Sequence, residues 1–578
     1  MTKPYNTRMM NPRAIPGDSS RIWLWFLGVS TFNLLLFLTP GGVVLKACIG
    51  TSGWLAAGWA AYRQGPPPPV SAVDPTIPAI PGWGVAVLGL VALAFRVFFR
   101  NLDTCWPTPD ETFHALCALN LAETHRFHAF YNVGITQVPP LFFWLEGIWF
   151  MVFPPCGWTL WGFPGLLSAA ALIFGHRAFQ RAFPGSTARL GSFLLAFSFW
   201  PIYLFRQNIY GAILIVWALA AWDAYGKWRL SPGPTARAPA LALAFWLGTG
   251  FWTALHWPLV AGGILAASIL DRRRPGKPSG AAFLWLSVLI FGSAYFISAY
   301  RNMAFLYPRH LLFGSAPPGD PGWAADQALY LTGLFWKAPG HFVFGPVWSG
   351  LYNPLLGSAV LLGAVGALRR WRQPASQALG AALLLAPLPG WATWGVEYYR
   401  FCLLIIPLTA LAALGLSILA GQGGSRRLRT AGLAAILLVS AGWDFYHWEA
   451  AYPSFYRSLG ITDISAKPQD RVRAYRILER EARAKGPVLF WNELIVNPEQ
   501  DLMLLTYPFN AARNPALSPD RAHRWAVLAN ANLGPYLQRE FPEATWIPVS
   551  QGLETRSGGL VLGMGPVNPG NRPRFENS

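Results

Sequence analysis

The sequence predicts an all-α polytopic membrane protein of about 13 transmembrane helices with a C-terminal α/β extracytoplasmic domain. Three observations predict it. The 578 residues are 53% hydrophobic, 15% aromatic and only 12% charged, with a mean hydropathy of +0.33, whereas soluble chains are about a quarter charged. The apolar residues fall in repeated runs close to the ~20 residues that span a bilayer. The charge is uneven: residues 449–578 hold 13 of the 26 acids and 15 of the 45 Lys and Arg, so the net +19 divides into +2 for this tail and +17 for the rest. A soluble enzyme, a disordered scaffold, a collagen-like fibre and a protein with one or two anchors are excluded. The excess positive charge falls mostly in short loops, where it reports orientation rather than a nucleic-acid footprint.

Lys3, Arg8, Arg13 and Arg21 precede an apolar run from Ile22 to Leu38. No small-residue cleavage signature follows it, so it reads as a retained first helix that starts in the cytoplasm. Val43 to Tyr62 returns the chain to Arg63 and the stiff Pro66–Pro69 linker, and Trp83 to Phe99 takes it out again. Residues 100–138 then face the periplasm or its equivalent. Within 139–175 two apolar stretches compete, and the basic cluster His176–Arg189 admits only one crossing; the other stretch is interfacial or re-entrant. Further crossings are expected near 190–205, 208–225, 239–256, 258–270, 281–299, 350–368, 376–394, 401–420 and 431–448. Basic clusters at Lys227–Arg237, Arg272–Lys277, Arg369–Arg372 and Arg426–Arg429 mark the inside, and the odd total puts the tail outside. In that tail Asp470–Ala484 has helical charge spacing, Pro487–Phe490 and Leu502–Tyr507 read as short strands, Ala522–Leu528 reads as a helix, and the last dozen residues read as disordered. No repeat of fixed period is present. The chain thus divides into a two-helix N-terminal membrane segment (1–80), a main membrane domain (81–448) and an extracytoplasmic soluble domain (449–578).

Five cysteines show neither metal-ligand nor redox spacing. Cys105, Cys117 and Cys156 fall on the outer side, where a disulfide among them and unpaired core thiols are both open. Carboxylates in hydrocarbon are expensive and usually kept for a reason. Outside the tail they crowd one level: Asp103, Asp110, Glu111, Glu123, Glu146, Asp320, Asp326 and Glu397. Arg206, His256, Arg301, Arg309, His310, Lys337, His341 and Arg400 lie at the same level. The plain alternative to a site is that loop residues are polar. His256, between Trp252 and Trp257, fits a satisfied structural histidine as well as a ligand. The Trp and Tyr residues that flank the helices are mostly interfacial belt anchors.

Pro109-Asp110-Glu111, then Ala115 to Glu123, then Gln137-Val138-Pro139-Pro140-Leu141-Phe142-Phe143-Trp144-Leu145 resemble the first outer loop of the GT-C glycosyltransferases. The similar branch holds the bacterial relatives of the dolichyl-phosphate-mannose protein mannosyltransferases and the aminoarabinose transferases. In it an Asp-Glu pair opens the loop and a Lys-Pro-Pro-Leu-aromatic-aromatic-Trp-Leu segment closes it. Pro201–Leu219 and Glu397-Tyr398-Tyr399-Arg400-Phe401 with Pro407-Leu408 are more weakly similar to two later helices of the family. Two departures stand out. The family's Lys before Pro-Pro, a donor-phosphate contact, is Val138 here, with Gln137 beside it, and the buried Asp of the later helix pair is missing, since Gln207, Asn208 and Tyr210 follow Arg206.

The resemblance implies an integral membrane glycosyltransferase of the cytoplasmic membrane that moves a sugar from a polyprenyl-phosphate donor to a glycan, lipid or protein hydroxyl on the outer face by inverting displacement. Elementary constraints agree. A site facing away from the cytoplasm cannot draw on nucleotide sugars, and the chain has no Rossmann-type glycine loop to bind one. A lipid-linked sugar meets both conditions, its tail in an apolar groove and its phosphate at the interface. Displacement needs a base for the acceptor hydroxyl and a cation for the leaving phosphate. By the resemblance Asp110 is the base and Glu111 its support. Arg400 is the first candidate for the phosphate, as a fixed fork at a helix mouth, with Arg206 and Arg301 behind it; Glu397, Gln137 and His256 complete the expected substrate-binding set. No cofactor is expected, and a divalent metal is left open. The alternative, a lipid or glycan transporter or flippase, calls for two related halves with broken helices and ionisable residues near mid-membrane. No halves are visible, and Asp223 and Asp444 lie near helix ends. A scaffold that displays the tail would leave the outer loop unexplained.

Overall fold

A computed structural model describes residues 19–63, 82–97, 109–133, 136–153, 157–183, 185–206, 209–231, 233–271, 281–301, 321–337, 350–391, 398–422 and 425–446, with 477, 480–481, 484, 489–492, 524–530, 538–539, 542–548 and 560–566 in the tail. The chain opens with two long apolar helices, α1 (Ser19–Leu38) and α2 (Val43–Arg63), followed by α3 (Gly82–Val97) and α4 (Pro109–Thr124). A hairpin of β1 (Tyr131–Val133) and β2 (Thr136–Val138) leads to α5 (Leu141–Val152), α6 (Gly157–Ala182), α7 (Gly185–Phe197), α8 (Phe199–Phe205), α9 (Gly211–Leu230), α10 (Arg237–Gly250), α11 (Trp257–Asp271) and α12 (Ala281–Arg301). Then come α13 (Pro321–Phe335), α14 (Pro354–Arg369), α15 (Pro374–Leu385), the short α16 (Leu388–Trp391), a 3-10 segment Tyr398–Leu404 that runs straight into α17 (Ile405–Ala420), and α18 (Arg426–Tyr446). Six described helices are long and apolar enough to cross a membrane: Arg21–Leu38, Val43–Arg63, Thr159–Ala182, Ala282–Arg301, Arg400–Ala420 and Arg427–Tyr446. The chain is a multi-pass membrane protein.

Over the described residues the apolar runs read from the sequence fall mostly on helix, and the differences have local causes. Within 139–175 the competition is resolved by length: α6 has 26 residues, whereas α5 has 12, about 18 Å at 1.5 Å per residue and too short to span. The run 190–205 is two helices, because Ser198 is extended and starts α8 afresh. The expected crossing 239–256 stops at Gly250, and residues 251–256 form turns. Helix α13 lies where only outer loop was expected. Its shortness and its Asp326–Gln327 pair disguise an apolar face that packs on α2, with Trp54 and Phe335 rings 4.5 Å apart.

Helix ends that the alternation of charge assigns to one side do meet. At the basic end Trp23 Nε1 donates to the Gln422 carbonyl (3.1 Å), Arg369 donates to the carbonyls of Ala61 and Tyr62, and Arg181 pairs with Asp223. At the opposite end Asn353 Nδ2 donates to Asp444 (3.1 Å) and Tyr352 Oη lies 3.3 Å from Thr409 Oγ1. The centre is the α14–α17 crossing. There a Cβ on Gly363 would overlap the Leu411 carbonyl and one on Gly415 the Ala359 carbonyl, so small residues let two backbones touch, as apolar surroundings require. Asn33 ties the first two helices to this centre: its Nδ2 donates to Ser358 Oγ (3.1 Å) and the Pro354 carbonyl (3.3 Å), and its Oδ1 accepts from Trp54 Nε1 (2.8 Å) and Trp336 Nε1 (2.9 Å).

In the tail, β3 (Leu489–Asn492), β4 (Arg524–Asn530), β5 (Thr545–Pro548) and β6 (Leu560–Pro566) form a sheet in the order β3-β4-β6-β5, parallel between β3 and β4 and antiparallel elsewhere. The helix expected at Ala522–Leu528 is therefore a strand. Its Ala and Leu content favours helix locally, but pairing on both edges overrides propensity. The strand expected at Leu502–Tyr507 lies outside the described residues, and Ile477, Arg480, Glu481 and Ala484 are helical, as the charge spacing of Asp470–Ala484 anticipates.

Candidate functional site

Helix α4 begins at Pro109, whose fixed φ and missing N–H suit a first helical position. Asp110 and Glu111 follow in its first turn, at the positive end of the helix dipole. One turn later on the same face is His114, only 2% exposed, its ring 6.0 Å from Phe142, 5.4 Å from Phe143 and 5.5 Å from Tyr210. The same stripe continues through Cys117, a free thiol pushed up to about 12 by burial and by the Glu146 carboxylate beside it. Glu146, on α5, has no exposed surface. The Pro139-Pro140 step thus lays α5 against the acid-bearing helix.

The step also docks the loop on a distant turn. The Leu141 amide donates to the Trp252 carbonyl at 2.9 Å, and Trp252 packs against Trp144 (5.4 Å), Phe130 (6.2 Å) and Tyr295 of α12 (5.3 Å). That turn carries His256, whose Nδ1 is buried without a hydrogen-bond partner. Burial, and then the positive charge of Arg400, push its imidazole down to about 4, so it is neutral.

Arg206 ends α8 and is fully buried. Tyr210, which touches His114, caps α9, and the first residue of α9, Gly211, faces the 3-10 segment, where a Cβ on it would stand 3.8 Å from Cys402 Sγ. Arg400 lies two residues before Cys402 and is half-buried. Contacts therefore run without a break from the α4 face that bears Asp110, through His114, Tyr210 and Gly211, to the Arg400 segment, and electrostatically on to His256. The sequence reading missed His114 and Tyr210. The signal for His114 is its i, i+4 spacing from Asp110, but nothing local points to Tyr210.

An apolar groove opens between α9 (Ala218, Trp222), α11 (Val260, Gly263) and α15 (Ala382), and Leu403 and Ile406, three and six residues on from Arg400, also line it. In a 3-10 helix residues three apart eclipse, so Arg400 and Leu403 share one edge of the Tyr398–Leu404 segment, and Ile406 follows in the first turn of α17. His256 directly precedes α11. Arg301 stands apart, exposed at the last residue of α12. For Asp110, Glu111 and Gln137 the backbone is described, with Gln137 in β2 opposite Asn132; Glu397, Asp103, Asp320, Arg309, His310 and His341 lie outside the described residues. Among the described residues no group of three His, Cys, Asp or Glu side chains could hold a metal ion.

This bundle of apolar helices has the GT-C fold. Its likeness to ArnT from Cupriavidus metallidurans bound to undecaprenyl phosphate has a TM-score of 0.54 at 12% identity, covering 83% of this chain and 97% of ArnT. The apo state of the same protein gives 0.53 with the same identity and coverage. The Archaeoglobus fulgidus oligosaccharyltransferase in its apo form gives 0.44 at 12% identity over 79% of this chain and 70% of that one. No family model and no curated protein sequence matches the chain.

Proposed function

We propose that the protein is an integral membrane glycosyltransferase that moves a sugar from a polyprenyl-phosphate donor to an acceptor hydroxyl, by inverting displacement, on the outer face of the cytoplasmic membrane. The carrying observation is an apolar channel whose lining includes Leu403 and Leu259, three residues on from Arg400 and from His256 in sequence, with Arg400 close enough to His256 to lower the affinity of its imidazole for a proton. His256 and Arg400 lie away from the basic helix ends, which by the distribution of Lys and Arg are cytoplasmic. ArnT, of the same fold, is bound to undecaprenyl phosphate in its structure, and a long isoprenoid with one phosphate is what such a channel suits. In this reading residues 81–448 form the catalytic membrane domain, 1–80 an added membrane segment and 449–578 an extracytoplasmic domain.

The chemistry follows from the roles. The Asp110 carboxylate takes the proton of the acceptor hydroxyl as its oxygen bonds to the anomeric carbon. The bond from that carbon to the phosphate oxygen breaks, the configuration inverts, and the electron pair leaves with the phosphate. Arg400, with buried Arg206 behind it, offsets the charge that accumulates on the leaving group. His256 offers a hydrogen bond to the same phosphate, while Glu111, Glu397 and Gln137 address sugar or acceptor hydroxyls. No step is assigned to a metal. The transporter alternative loses its candidates: Asp223 is paired with Arg181 and Asp444 accepts from Asn353, both in structural roles. The test is transfer of radiolabelled sugar from polyprenyl-phosphate donors by the purified protein. A binder that never releases free polyprenyl phosphate would contradict the proposal.

A further inference from the structure

Asn33 of α1 is fully buried, and its side chain makes every hydrogen bond that an amide can. Its Nδ2 donates to Ser358 Oγ and to the Pro354 carbonyl at the start of α14, and its Oδ1 accepts from the indoles of Trp54 in α2 and of Trp336. A fully satisfied polar group in an apolar core selects one arrangement, where apolar packing alone tolerates several. Here it selects the place of α13. Trp336, directly after α13, lies on Gly50 of α2 with no room for a Cβ between them, and the Phe335 ring is 4.5 Å from Trp54. The Leu351 and Tyr352 amides, just before α14, donate to the Gly333 and Leu334 carbonyls, each at 2.9 Å. One end of α13 is thus clamped. Tyr330, six residues before Trp336 and about 9 Å along the helix, packs its ring on Phe401 at 4.1 Å. Phe401 adjoins Arg400 and also lies on Gly390 of α16. A cavity of about 460 Å³ lined by Gln327, Tyr330, Phe401, Leu404 and Leu408 borders this contact, so the 3-10 segment has room to shift on that edge unless α13 holds it.

We propose that Asn33 is a positioning residue for the donor site: through Trp336 and α13 it holds Phe401, and with it the adjoining Arg400, where the leaving phosphate is met. This role rests on Arg400 being the cation for the donor phosphate, and it gives the two N-terminal helices, which lie outside the family resemblance, a part in setting the site. A rigid helix carries the restraint, because it moves as a unit. Loss of Asn33's grip on Trp336 frees α13 to slide or tilt, and Phe401 follows it into the cavity.

Three readings of the full-length protein in neutral detergent test the link: isothermal titration of undecaprenyl phosphate, the His256 pKa by NMR of labelled histidine, and the unfolding midpoint. Trp336→Phe deletes the indole N–H and keeps a ring on Gly50. It is expected to weaken undecaprenyl phosphate binding about 2- to 30-fold, the range for a residue coupled to a site through packed elements, and to raise the His256 pKa as Arg400 withdraws. Ser358→Ala takes a bond from the same asparagine without touching α13; it should lower the midpoint and leave the other two readings at their parental values. Tyr330→Leu, at the far end of the link, should repeat the Trp336→Phe result and replaces that variant if it does not fold. A Trp336→Phe or Tyr330→Leu protein with only a lower midpoint, or a Ser358→Ala protein that moves all three readings alike, overturns the role. Arg400→Ala separates the two levels. If it too binds undecaprenyl phosphate as the parent does, the donor reading has failed, and the His256 shift in Trp336→Phe still decides the link.

Discussion

Replacing Arg400 with Ala removes the cation that adjoins the groove lining and leaves the apolar walls in place. Truncating one member of a desolvated charge pair costs about 2–5 kcal/mol. Arg400 is half-buried, so solvent screens part of the pair and the lower end applies, about 2–3 kcal/mol, or roughly 30- to 150-fold in Kd. Isothermal titration of undecaprenyl phosphate into the detergent-solubilised variant measures this directly. Arg400→Lys keeps the charge but not the planar fork, and should recover only part of the loss. The variant also has an internal readout. Arg400 is the second cause, after burial, that holds His256 down to about 4, so the imidazole pKa, followed by NMR of labelled histidine, should rise in Arg400→Ala. Undecaprenyl phosphate binding within threefold of the parent would refute the phosphate role, and an unmoved His256 would refute the nearness of the two residues.

The unfolded state binds a proton at His256 near pH 6.5 and the folded state only near 4, so this residue's contribution to stability is complete above about pH 6.5 and is lost as pH falls towards 4; His256→Gln should flatten the unfolding midpoint across that window. Gly415→Val drives a side chain into the Ala359 carbonyl and should lower stability by about 3 kcal/mol or more, read as a fall in unfolding midpoint with loss of the monodisperse peak on gel filtration. Cysteines placed at exposed Arg126 and Glu543 should react with an impermeant maleimide from outside intact cells, while one at exposed Arg372 should not; opposite reactivity of the first two would overturn the orientation.

The hydrophobic runs made the bundle legible, because a bilayer leaves the backbone few alternatives to helix. What they could not show is where a run breaks. Ser198, Gly250 and the Ala386–Pro387 turn interrupt apolar stretches that hydropathy reads as continuous, and α13 hides behind its own polar pair. Asp110-Glu111 and Pro139-Pro140 were readable because each is local, one a helix start and the other the step that aims α5. The nearness of His256 and Arg400 spans 144 positions and depends on a side-chain approach that no periodicity encodes. Arg301, equal to them in sequence, falls on the exposed tip of α12. Burial of His114 against Tyr210 was likewise invisible until α4 and α9 were seen side by side.

Base-assisted transfer from a lipid-linked sugar is tested most directly by the rate of single-turnover transfer by Asp110→Asn. The amide keeps the shape and leaves the start of α4 at Pro109 in place, but it cannot take a proton. The prediction is a loss on the order of 10²–10⁴ in rate, with undecaprenyl phosphate binding unchanged and a milder effect from Glu111→Gln. An Asp110→Asn protein that binds the lipid and transfers sugar at the parental rate would contradict it.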